Sequence, residues 1–166
     1  MKLIERLMDI LSQNVEAYES MAEKTERERR VVKKGSREEL AEIVKEKEKI
    51  GLELEKLEQA RVELIGKIAE EVGRPVNEIS LGEIAAMPEN RALKNRILAI
   101  RQKLTGAVSL TKKLNDYNRH LIGSVMRSTV NSIQMLNGLI EPAVTYSAAR
   151  RIQNRAPSGT LLKRSL

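Results

Sequence analysis

The chain has 166 residues, 41% of them hydrophobic and 32% charged, with a net charge of +7, no Cys, Phe or Trp, three Tyr and one His. That length suits one domain, and zero cysteines exclude disulfides and thiolate metal sites while a single His120 excludes paired-histidine sites. No apolar run approaches a bilayer span, and Glu5, Asp9, Glu16 and Glu19 sit where a signal sequence would be uncharged, so the expectation is a cytoplasmic protein with no membrane insertion.

The first predicted helix runs from about 2 to 32. Ile4, Leu7, Leu11, Asn14, Tyr18, Met21 and Thr25 recur three and four apart, which keeps one stripe on one side. Lys33, Lys34 and Gly35 have the chemistry of a helix end. Ser36 followed by Glu39 has capping-box spacing and predicts a second helix over 37–72, antiparallel to the first because the turn is short. Its seam is Leu40, Ile43, Lys47, Ile50, Leu54, Leu57, Arg61, Leu64, Ile68 and Val72, with the Lys47 and Arg61 stems expected along the groove and their charges in water.

Pro75, Asn77, Gly82 and Pro88 break the rhythm, and Ser80 with Glu83 repeats the capping spacing, so a short helical connector is expected. The third long helix is predicted over 89–140, with a seam from Leu93 through Ile97, Ile100, Leu104, Ala107, Thr111, Leu114, Asn118, Leu121, Val125, Ser128, Ser132 and Met135 to Leu139. From Ile122 a second stripe begins, comprising Ile122, Met126, Val130, Ile133, Leu136 and Ile140, about 100° around the helix. The first two helices are too short to cover the third throughout, so this double stripe is the expected partner surface. The fold class is therefore all-α: three long helices in an elongated antiparallel coiled-coil-like bundle with a short connector. Residues 1–140 form one helical domain, and 141–166 a flexible basic tail.

From Glu141 on, Arg150, Arg151, Arg155, Lys163 and Arg164 face one acid, which gives +4 of the +7 and leaves the helical body close to balanced. Such a tail binds phosphates only in a salt-sensitive way, and the tyrosines at 18, 117 and 146 form no base-stacking platform, so no nucleic-acid partner is expected. No catalytic or cofactor pattern occurs. Asp116 and His120 are spaced for contact but no third group orients them, Tyr117 occupies the Glu position of a Glu-x-x-His ligand pair, and no phosphate-binding glycine loop is present. Asn118 falls on the seam, where an amide fixes register or recognises a partner helix.

Three stretches carry a family resemblance: KKGSREELAEIVKEKEKIGLELEKLEQARVELI at 33–65, LNDYNRHLIGSV at 114–125 and TYSAARR at 145–151. Together they resemble the FlgN family of flagellar type III export chaperones. The resemblance implies a cytoplasmic, non-enzymatic chaperone that binds the C-terminal helices of hook-associated proteins, prevents premature assembly and delivers them to the export gate. With that role the double stripe assigns partner contacts to Asn118, Leu121, Ile122, Val125, Met126, Val130, Ile133, Leu136 and Ile140, with Tyr146 a lesser candidate. The other reading is a structural adaptor or self-assembling helical rod whose second stripe pairs with its own copy; a chaperone forms at most a weak homodimer.

Overall fold

The computed structural model describes residues 2–140, with side-chain surroundings through 138. Among the described residues there are four α-helices and no strands: α1 (Lys2–Lys34), α2 (Arg37–Val72), α3 (Leu81–Ala86) and α4 (Lys94–Ile140), with 3-10 turns at Val76–Glu78 and Pro88–Asn90. Met1–Arg127 make one compact unit, and the described residues from Ser128 on belong to a second.

The α1–α2 turn is built on Gly35, at φ 79°, a conformation that costs other residues steric strain. Ser36 is the α2 N-cap in extended conformation, but its side chain makes no capping bond, contrary to the spacing. The Glu39 carboxylate is instead bonded by Lys34 Nζ at 2.9 Å across the turn. At the other end, Gly73 (φ 67°) closes α2 by donating to Glu70 O while Arg74 donates to Ala69 O. The connector holds a complete capping box: Glu83 N–H donates to Ser80 Oγ at 3.2 Å and Ser80 N–H to Glu83 Oε2 at 2.7 Å.

α4 begins at Lys94, five residues later than the sequence predicts. Pro88 starts a single 3-10 turn there, and the buried Asn90 donates its Nδ2 to Ile84 O at 2.8 Å, pinning the chain before the α-helix can start. The helix direction is fixed by two long-range bonds with the same sequence separation of 93 residues: Thr111 Oγ1 donates to Tyr18 O, and Asn118 Nδ2 to Thr25 O. One constant offset means that α4 runs parallel to α1, and both run antiparallel to α2.

α1 is buried on a broad face because it serves both neighbours: Met8, Val15, Ala17 and Ala22 are buried as well as Ile4, Leu7, Leu11, Asn14 and Thr25 of the predicted stripe, with Tyr18 and Met21 half-buried. The main apolar core lies at the connector end. There Ile4, Leu7 and Leu11 meet Leu64, Ile68, Ile79, Ile84 and Ile97, with Leu93, Ile100 and Leu104 packed against them. Val72, predicted on the seam, is 42% exposed, because the core ends at Ala69 where the Gly73 cap turns the chain away. Leu11 is fully buried, so Leu11→Ala should cost about 2–5 kcal/mol in urea-induced unfolding through lost transfer energy and a residual cavity.

Several surface carboxylates tie neighbouring segments. Glu46 bonds Lys24 at 3.0 Å with Arg27 at 3.7 Å, and Glu58 makes a bidentate contact with Arg61. The Lys24 bond holds the Glu46 carboxyl below its usual value, the Arg61 bond does so for Glu58, and the Ser80 backbone bond does so for Glu83. A carboxylate whose folded pKa is depressed adds stability above its unfolded value and loses it as pH falls through the folded one. The thermal midpoint should therefore hold constant above pH 5 and decline as pH drops below the ordinary value of 4.5, with the Glu46→Gln variant showing a smaller decline.

Candidate partner-binding site

Toward the hairpin turn the interface between α1, α2 and α4 changes character. The interior positions are Asn14, Thr25 and Glu28 on α1 and Thr111 and Asn118 on α4, all buried. Glu28 Oε2 accepts from Lys47 Nζ at 2.8 Å and from Asn118 Nδ2 at 2.7 Å, so one carboxylate ties all three helices. Thr25 Oγ1 donates to Met21 O at 2.7 Å and lies 3.4 Å from Asn115 Oδ1, as does Lys47 Nζ. Lys47 does not float its charge in water as expected from the sequence; its side chain is 18% exposed and turns in to the acid of α1. Asn118 Oδ1 is buried without a hydrogen-bond partner. Asn118 therefore sits inside the bundle, 3% exposed, with its amide donating to α1, which gives it the register role the seam position predicts.

Above this layer the helices leave an apolar groove. Val31, Val32, Gly35, Ser36, Arg37 and Leu40 from the hairpin and Ile122, Val125 and Met126 from α4 line a cavity of about 260 Å³. Leu121 and Ile122 are half-buried, whereas Val125 is 43% and Met126 63% exposed. The sequence predicts that the first two helices are too short to cover α4 throughout, and the offset shows where their cover stops. It carries the last residue of α1, Lys34, to the level of Arg127, so the hairpin has run out.

In the second unit, every described side chain from Ser128 to Gly138 is exposed. Val130 is 50%, Ile133 52%, Met135 72% and Leu136 58% exposed. Ser128–Ile140 contains no charged residue at all. Ile140 closes α4 and its side chain, like Tyr146, lies outside the described residues.

The charge distribution holds a signal that the nearly balanced total of the helical body concealed. α4 carries eight Lys and Arg against Asp116 alone, whereas α2 carries eleven Glu against seven Lys and Arg. All eight α4 cations are exposed, and none is ion-paired among the described residues. Counting by helix would have exposed this directly from the sequence. His120 and Asp116 are both exposed, and Arg29 stacks over Tyr117 at 5.5 Å from the ring centroid. Among the described residues no cluster of three His, Cys, Asp or Glu is placed to hold a metal, and no helix is long and apolar enough to cross a membrane.

The fold is an all-α bundle with a buried polar layer, an apolar groove and, on α4, an uncharged stretch of exposed apolar side chains. The chain belongs to the FlgN family of flagellar export chaperones: the family model described as FlgN protein matches residues 1–154. No curated protein and no solved structure matches the chain.

Proposed function

We propose that this protein is a cytoplasmic chaperone that binds the C-terminal helices of hook-associated proteins, keeps them from assembling early and presents them to the flagellar export apparatus at the export gate. The observation that carries this reading is the Ser128–Ile140 stretch of α4, which has no charge and exposes Val130, Ile133, Met135 and Leu136. Solvated helix faces are ordinarily rich in Lys and Glu, and contiguous exposed apolar surface marks a place that something else covers. Amphipathic client helices lay their apolar face into such a surface, and covering it suppresses self-association by mass action alone, without ATP chemistry. Leu121, Ile122, Val125 and Met126 are the contacts assigned nearer the hairpin, with Ile140 and Tyr146 completing the set. Titration calorimetry of the full chain against the isolated C-terminal region of a hook-associated protein tests the reading. Tight binding that persists at high salt is expected; absence of heat from a folded sample, together with concentration-dependent dimerisation in sedimentation, would replace it with a self-pairing adaptor.

A further inference from the structure

We propose that the helix seated in the groove at the hairpin end of the first unit is acidic on its polar face, with aliphatic side chains filling the cavity and carboxylates meeting Arg37, Arg119 and Arg127. The proposal deepens the chaperone reading above and rests on it.

Two features of the groove select such a partner. Its walls are aliphatic and its volume of about 260 Å³ accommodates a few side chains, not a whole domain. Beside it a wider opening of about 560 Å³ is lined by Asn115, Arg119, Gly123 and Met126 among others, and Ile122 and Met126 belong to both. The Arg127 guanidinium lies over Gly123, its Nη1 3.5 Å from the place a Cβ would take, which brings a cation to the wall of that opening. The rim is cationic: Arg37 lies at the mouth of the cavity, Arg119 lines the wider opening and Arg127 follows one residue after Met126.

Arg119 and Arg127 share with every other cation of α4 the lack of a carboxylate partner among the described residues, and Arg37 lacks one too. Lys24, Arg27, Lys34, Lys47 and Arg61 each have a Glu partner. The fold itself shows what satisfies basic helix edges of this kind. Glutamate-rich α2 lies against α1 with Glu46 between Lys24 and Arg27, and apolar residues such as Ile43 and Leu57 buried beneath. A second acidic helix at α4 would repeat that arrangement. A nucleic acid suits the site less well, since a phosphate backbone gains nothing from the aliphatic cavity between the cations.

The test uses the full chain and two synthetic amphipathic helices with identical Leu/Ile faces, one with Glu and one with Lys at its polar positions. The Glu helix should bind roughly tenfold more tightly at low ionic strength, the gap narrowing as salt rises. Arg119→Glu with Arg127→Glu should remove the preference, and Met126→Asp should weaken both helices. Equal affinities, no binding of either helix, or displacement of the Glu helix by an equal concentration of a short DNA duplex would overturn the proposal. So would a hook-associated protein whose affinity is untouched by the Arg119→Glu, Arg127→Glu change, an outcome that leaves the chaperone reading intact. Selectivity for the Glu helix with no affinity for hook-associated proteins would uphold the groove and remove the chaperone reading instead.

Discussion

Replacing Met126 and Ile133 together by Asp should lower affinity for a hook-associated client by at least a hundredfold while leaving the far-ultraviolet helix signal unchanged. Met126 is 63% and Ile133 52% exposed, so neither substitution buries a charge in the free protein. In the complex each Asp would face an apolar client surface, where an unpaired carboxylate is strongly disfavoured and the lost apolar burial adds to the penalty. Two such sites together reach about 3 kcal/mol or more, equivalent to the hundredfold stated. Calorimetry with the intact client region reads the affinity, and circular dichroism guards against misfolding. Unchanged affinity with intact helices would place the client elsewhere on the chain.

The second large effect lies inside the bundle. Glu28→Ala should destabilise the protein by about 2–4 kcal/mol, somewhat below the usual cost of splitting a buried ion pair because the Lys47 side chain retains 18% exposure and can reach water. The variant strands Asn118 as well, since its amide bridges Thr25 O and Glu28 Oε2. Glu28→Gln keeps an acceptor in place and should cost far less. Changing Glu28, Lys47 and Asn118 all to Leu should recover most of the stability, but of the two bonds that fix the α1–α4 offset only Thr111 to Tyr18 O then remains, and competing registers become more accessible. Urea unfolding measures all three variants, and hydrogen exchange across α4 reports register heterogeneity in the triple one. A triple variant with wild-type exchange would show that apolar packing alone sets the offset.

Much of the fold was legible because the helix seams are regular. The ends of α2, the Gly35 turn and the Ser80–Glu83 capping box follow from local chemistry that acts over four residues. The misreadings arise where a distant partner competes with the local pattern. Glu39 has capping spacing but bonds Lys34, and Lys47 looks like a solvated interruption until Glu28 is seen across the interface. Asn118 could be placed on the seam from spacing alone, while its choice between register and recognition depended on α1 being adjacent and parallel. The exposed apolar stretch of α4 was legible as a second stripe. Val125 could be placed among the uncovered positions by comparing helix lengths, because a 3-4 rhythm says which side of a helix is apolar and nothing about whether a neighbour covers it.

The change along the bundle from aliphatic packing near the connector to a hydrogen-bonded layer near the hairpin turn also has a consequence in time. Opening the aliphatic end exposes Leu7, Leu11, Ile68, Ile84 and Ile97 together and approaches the full free energy of unfolding. Around Asn118 separation exposes amides and an ion pair that water can solvate, so those helices should part more often and at lower cost. Backbone amide lifetimes should accordingly shorten from Ile97 toward Leu121, so that the breathing end of the molecule is also the one that carries the groove.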